Sequence, residues 1–226
     1  LRPRRLTWHA AVSADIGRHP DLLDLMAQSG CRSLFIGFET VDQSNLLRCR
    51  KTQNHATAYD DTIRHIHQRG IMVNASVVFG FDGDGPEVFD STVAWLERNR
   101  VSTMTAHILT PYPGTRLHQQ LTAQNRIVDR DLRHYNTSRA VFRPARMSPA
   151  ELEAGYLRAY RRFYSFASIW RRRPRSAAQR MAHFEFNLLY RKFGPATSRL
   201  GALVGLRNLA RFARILAYPP ARPETP

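Results

Sequence analysis

The stretch SVVFGFDGDG, residues 76–85, decides how this chain is read: an apolar, strand-like run ends abruptly in three glycines and two aspartates. An acidic cation-binding loop would need oxygen ligands at alternating positions closed by a bidentate glutamate, and Glu87 comes too early to complete one. An ordinary turn accounts for the same composition, because Gly supplies unusual backbone angles and Asp bonds its own backbone. What separates a plain turn from a ligand-binding rim is how the other strand-like runs of the chain end.

They end alike. LTWHAAVS (6–13) precedes the helical pattern DLLDLMAQ (21–28), and SLFIGFE (33–39) precedes a helix through AYDDTIRHIHQRG (58–70). IMVNASVVFGF (71–81) precedes PEVFDSTVAWLERN (86–99), with Pro86 suited to the first helical turn. TMTAHIL (103–109) precedes TPYPGT (110–115) and a helix near LHQQLTAQ (117–124). A strand, a polar loop and a helix recur four times, which predicts parallel pairing with right-handed crossovers. The fold class is α/β: a partial parallel (β/α) barrel of about four strand–helix units over residues 1–125, followed by an all-α basic C-terminal extension over 126–226. Ligands of such folds sit at the C-terminal strand ends. Here those are Ser13 with Asp15, Glu39 with Thr40, Gly80 to Asp84, and Pro111 to Gly114. Four strands do not close a barrel, so further strands are expected before Leu1, and the chain reads as a piece of something longer.

The composition, 226 residues with 43% hydrophobic, allows one good core and excludes a disordered chain. No run approaches the roughly 18 apolar residues of a membrane span, and LRPRRLTWHA lacks a signal-peptide core, which predicts a cytoplasmic protein. Cys31 and Cys49 are too far apart for a zinc or iron–sulfur motif and read as free thiols, with Cys49 in a loop on the ligand side. The histidines show no metal-ligand spacing beyond His65 and His67, which two residues apart on a helix point to different sides. The charge is uneven: residues 1–142 carry 17 basic and 14 acidic side chains, whereas 143–226 carry 17 and 4. Any argument about anionic partners therefore belongs to the tail.

Read together, SGCRSLFIGFET, the lysine of RCRKTQN, GIMVNASVVFGFDGD and ILTPYPGTRLHQQL, in this order and spacing, resemble the later strands of radical S-adenosylmethionine enzymes, in the branch that carries an N-terminal cobalamin-binding domain. NRIVDRD, HYN, VFRPARMSPAELEAGY and RRFYS resemble the C-terminal extension of that branch. The resemblance covers roughly residues 6–190. It implies S-adenosylmethionine, a [4Fe–4S] cluster on a three-cysteine loop, and cobalamin; the cysteine loop and the cobalamin domain are absent from this chain. It further implies a 5′-deoxyadenosyl radical that abstracts hydrogen, and methylation of an unactivated carbon, in a full-length enzyme of which this fragment alone would be inactive. Carried over residue by residue, Glu39 matches the ribose contact. Ser76, Val78 and Gly80 match a small-x-aliphatic-x-Gly pattern beside adenine, with Ser76 where the family often has Gly. Pro111 and Pro113 stiffen a turn at the adenine edge. Asp82 and Asp84 read as helix caps or as rim residues.

From Pro149 the pattern PAELEAGYLRAYRRFYSFASIW is helical, and RRRPRS (171–176) breaks it. SRLGALVGLRNLARFARILAY then segregates Arg207, Arg211 and Arg214 from Leu203, Leu206, Leu209, Phe212 and Leu216, an amphipathic basic helix expected over 197–218. It reads as packed on the barrel, as a membrane-surface helix that would place the protein peripherally at the inner membrane, or as an RNA contact; no specific nucleic-acid module accompanies it. The expected partners are thus the preceding N-terminal region, a small-molecule or lipid-like substrate, and a membrane surface. A lipid- or RNA-binding module using the barrel as scaffold is the alternative function.

Overall fold

The computed structural model describes residues 6–48, 54–177, 179–188 and 191. Cys49, Lys51 and the basic helix expected over 197–218 lie outside the described residues. The chain divides into two compact units, Leu1–Phe184 and Glu185–Pro226, and the sheet with the helices that cover it belongs to the first.

Four strands, β1 (Trp8–Ser13), β2 (Cys31–Glu39), β3 (Met72–Phe79) and β4 (Thr103–Ile108), form one sheet in chain order, every pair parallel. The reason is the length of the connections: α1 (Pro20–Gln28), α3 (Tyr59–Gln68) and α4 (Val88–Arg98) each return the chain to start the next strand in the same direction. The short helix α2 (Gln43–Arg48) precedes α3 in the second connection, and α5 (Arg116–Ala123) follows β4. The expected strands and long helices are present within about two residues of their ends. Pro86 differs: it stands in the turn before Glu87, the N-cap of α4.

Alternation along the strands sorts the side chains. Leu34, Ile36 and Phe38 of β2, with Val73, Ala75, Val77 and Phe79 of β3, are buried on the helix-covered face. There Phe38 meets Tyr59 edge-on at 4.7 Å and Trp95 at 5.3 Å between ring centroids. Each such ring contributes roughly 1.5–3 kcal/mol by leaving water. The opposite face is of another kind: the register aligns Ser13, Gly37, Ser76 and Thr105 in one row across the sheet. A row of small residues leaves space above the sheet at this level.

The two edges of the sheet differ. Beside β4, the helix α6 (Pro149–Phe163) sets tyrosines four residues apart. The Tyr160 hydroxyl bonds the Ala106 N–H (2.8 Å) and carbonyl (3.2 Å), and the Tyr164 hydroxyl bonds those of Met104 (3.2 and 2.9 Å). The Ile108 N–H goes to the Thr137 carbonyl at 2.6 Å. Two tyrosine hydroxyls and a loop carbonyl thus satisfy an edge that would otherwise invite another strand. On the far side of β1 no strand pairs with it among the described residues.

The Ser148 hydroxyl and Glu151 carboxylate close a capping box at the start of α6. The helix also passes α4 so closely that a Cβ on Gly155 would lie 2.1 Å from the Phe89 ring. The continuous helix expected through Trp170 is interrupted: Ser165 caps a new one, α7 (Phe166–Arg171), by accepting from the Ser168 N–H at 3.2 Å. Among the described residues no helix is long and apolar enough to cross a membrane.

Candidate functional site

At the C-terminal ends of β2, β3 and β4 lies a cavity of about 500 Å³, within the range of small-molecule sites. Glu39 ends β2 there, Val78 faces in from β3 beside it, and Leu109 follows β4. Beside Arg116, the other wall is α5, which presents Leu117, Gln120, Leu121 and, at its C-cap, Gln124. These positions follow the i, i+3, i+4, i+7 stripe of a helix, a signal that LHQQLTAQ carries without saying whether the stripe meets a core or a ligand.

Glu39 has φ of 65°, a left-handed backbone at which a non-glycine residue is strained. The strain follows from a register shift between Gly37 and Glu39 against β3, and the Thr40 N–H closes a tight turn onto the Phe38 carbonyl at 2.8 Å. Gly37 makes room for it, since a Cβ there would lie 2.8 Å from the Glu39 carboxylate. A carboxylate is thus held in a costly conformation at a strand end, with space cleared for it.

The remaining residues singled out from the sequence are placed unequally. Ser76 shares the Val78 face of β3 one row deeper, buried between Gly37 and Thr105, and does not reach the cavity. Gly80 has φ of +106°, but the side where a Cβ would stand faces Leu152 (3.0 Å) and Phe142 (3.4 Å), so its freedom serves packing against the helical extension. Pro111 is buried and Pro113 exposed in the turn after β4, where Thr115 caps α5 by accepting from the His118 N–H at 3.2 Å. Cavity and turn are neighbours, yet neither proline lines the cavity.

The two aspartates of SVVFGFDGDG have separate roles. Asp82 lines the cavity rim and pairs with Arg126 at 2.6 Å. Asp84 is buried and folds the loop back on itself, accepting from the N–H groups of Gly80 (2.9 Å) and Phe81 (3.0 Å) and from the Asn45 amide (2.8 Å). Asn45 belongs to α2 and lines the cavity, so Asp84 ties the two loops of the rim together.

Burial pushes the Asp84 carboxyl up to about 6, against the lowering effect of its three donors. The folded chain therefore holds this proton to higher pH than the unfolded chain does. Its contribution to stability is complete below about 4 and is lost as pH rises through about 6. His67, which burial and the neighbouring Arg100 and Arg175 hold neutral down to about 4, gives a limb of opposite sign in the same window. The informative measurement is the difference between wild type and Asp84→Asn in thermal unfolding between pH 4 and 7. The wild type should lose stability relative to the variant as pH rises, and a constant difference would contradict this role of Asp84 in the loop.

The donor set discriminates between ligands. A carboxylate beside the apolar side chains of Val78, Leu109 and Leu121 suits a ribose hydroxyl pair next to a purine face, because the carboxylate accepts both hydroxyl protons. It does not suit an iron–sulfur cluster. Cys31 is buried in the core with its Sγ 3.7 Å from the Ser33 carbonyl, and no three His, Cys, Asp or Glu come together among the described residues.

A strained carboxylate and a cavity lie together at the C-terminal rim of a parallel sheet, the end at which folds of this kind carry their ligands. No protein-family model matches the sequence. Over 165 residues the chain is 27% identical to bacteriochlorophyllide d C-12(1)-methyltransferase of Chlorobaculum tepidum, covering 73% of this chain and 36% of that protein. Over 125 residues it is 29% identical to hopanoid C-2 methylase of Rhodopseudomonas palustris, covering 55% of this chain and 24% of that protein. Among solved structures, the radical S-adenosylmethionine methyltransferase TsrM of Kitasatospora setae, with cobalamin and a [4Fe–4S] cluster bound, aligns over 68% of this chain and 31% of its own length, with a TM-score of 0.47 and 22% identity. The chain is similar to these methyltransferases, and it spans about a third or less of their length.

Proposed function

We propose that this chain is the nucleoside-binding side of a radical S-adenosylmethionine C-methyltransferase of the cobalamin-dependent branch. One observation carries the reading: Glu39 and Val78, from different strands, line the same cavity at the C-terminal rim. In this reading the Glu39 carboxylate accepts the ribose hydroxyls. Val78, Leu109 and Leu121 cover the adenine face, and the turn stiffened by Pro111 and Pro113 holds α5 over the nucleoside. The Asp84 brace keeps the two loops at a fixed separation, so little ordering remains to be done when the ligand arrives. When bound, with the cluster and cobalamin held by parts of the enzyme outside these residues, S-adenosylmethionine supplies the one-electron chemistry that lets a methyl group reach an unactivated carbon. The relatives named for a bacteriochlorophyllide and a hopanoid support an extended, largely apolar small molecule as substrate.

The test is equilibrium binding of S-adenosylhomocysteine, which shares the adenosine and needs no cluster. The chain should bind one equivalent, and Val78→Trp, which fills the cavity, should abolish binding without loss of fold. Equal binding by wild type and Val78→Trp would remove the site from this cavity.

A further inference from the structure

At the other end of the sheet, a second cavity of about 390 Å³ lies between the last turns of α3 and α4 and the residues Pro174, Arg175, Ser176 and Gln179. Met72, which opens β3, and Ser102, which precedes β4, form its floor. Its walls carry Arg64, Arg98, Arg100 and Arg175, with His67 and Gln179 between them, and no carboxylate lines it among the described residues. We infer that this cavity binds a phosphoryl anion, independently of the nucleoside site.

The charge is uncompensated where it converges. Arg64 pairs with Asp61 at 2.7 Å on the surface, whereas no ion pair of Arg98, Arg100 or Arg175 occurs among the described residues. Basic residues at helix C-termini commonly complement the helix dipole, and that accounts for Arg98. It does not account for Arg175, which lies outside any helix. Nor are the helix-end carbonyls waiting for these side chains. Backbone N–H groups already take the carbonyls of Ile66 and His67 at the end of α3, and those of Leu96 and Glu97 at the end of α4.

Arg100 is the sharpest indication. It sits at φ of +50° just past the C-terminus of α4, the position where glycine is the relaxed residue. An arginine kept in a left-handed conformation, on the lining of a cavity it shares with other arginines, fits a side-chain role better than a backbone one. The facing wall is fixed as well. The Gln179 amide donates to the Gly70 carbonyl, and the Arg180 guanidinium holds the carbonyls of Pro174 (3.2 Å) and Arg175 (3.0 Å). The four arginines are exposed side chains of one sign on one cavity lining, and a phosphoryl group with oxygens on several sides answers them with charge-assisted, often bidentate bonds. His67 offers an internal reporter: the arginines and burial hold it neutral, and an anion among them reverses that field.

The experiment is calorimetric titration of the chain with inorganic pyrophosphate, alongside imidazole NMR of His67. Saturable one-to-one binding that weakens with salt, with the His67 titration moved to higher pH at saturation, is the expected result. Arg100→Gly and Arg175→Ala should each weaken binding about tenfold or more. Arg100→Gly should leave the ligand-free melting temperature level or higher, because it relaxes the backbone. Val78→Trp should bind pyrophosphate as the wild type does. Phosphatidic acid vesicles that float the chain and displace pyrophosphate would assign the phosphoryl group to a lipid headgroup, and failure to displace it would assign it to a free phosphorylated molecule. No saturable binding, or binding unchanged in both arginine variants, would overturn the inference.

Discussion

Replacing Glu39 by glycine should make the chain more stable and unable to hold a nucleoside. At φ of 65° the glutamate stands where a side chain costs about 1 kcal/mol relative to glycine, and the substitution releases that strain. The cavity loses its one strand-end carboxylate at the same stroke. A hydrogen bond to a charged group contributes about 1.5–3 kcal/mol, so affinity for S-adenosylhomocysteine should fall about tenfold or more. A purely structural glutamate predicts the reverse: unchanged binding, with stability lost through the side chain's contacts. Thermal unfolding and calorimetric titration of one variant therefore separate the two roles of the residue. Lower stability with intact binding would return Glu39 to the scaffold.

The second large effect lies away from the cavity. Arg172 is fully buried, and its guanidinium donates to the carbonyls of Val101 (2.7 Å), Ser102 (2.8 Å) and Phe163 (2.8 Å) and to the Ser168 hydroxyl (3.2 Å). The Phe163 ring lies 3.5 Å beneath it. Burial pushes its pKa down to about 10, which leaves it charged at neutral pH. The side chain joins the end of α6 to the turn that leads into β4, from three carbonyls that water does not reach. Arg172→Leu fills part of the volume and strands those acceptors, so unfolding in urea should show a loss of about 3–5 kcal/mol. Arg172→Lys should recover little, because one ammonium cannot reach carbonyls on both sides. A loss below about 1 kcal/mol for the leucine variant would mean that the acceptors find other partners.

The residues differ in how openly the sequence announces them. Strands and helices were legible because β2 and β3 alternate against the helix-covered face, while α3 and α4 carry the helical period with polar residues outward. The rim was legible for the same reason, since a strand must end somewhere and these end in Glu39, in GFDGD and in TPYPG. What periodicity cannot carry is backbone conformation at a single residue. Nothing in FIGFET announces the register shift that puts Glu39 in the left-handed region, and Gly80 reads identically whether it turns toward a ligand or toward Leu152. The helical pattern from Pro149 includes Tyr156 and Tyr160, but only the position of α6 beside β4 makes the hydroxyls of Tyr160 and Tyr164 the partners of an edge strand. Arg172 was hidden most completely. Within RRRPRS it looks like one more solvated charge, and only the fold turns it inward while Arg171 stays outside with Glu97 at 3.0 Å.

If the rim of this half-barrel holds the adenosine of S-adenosylmethionine, the methyl groups that wall the cavity must sense it. Methyl-labelled NMR of the chain titrated with S-adenosylhomocysteine reads them directly, because the wall is built of leucine and valine. Saturable shifts of Val78, Leu109, Leu117 and Leu121 are expected, with Leu23 and Val101, buried elsewhere in the core, left unmoved. Shifts confined to other methyls, or none at millimolar ligand, would contradict a nucleoside site at this rim.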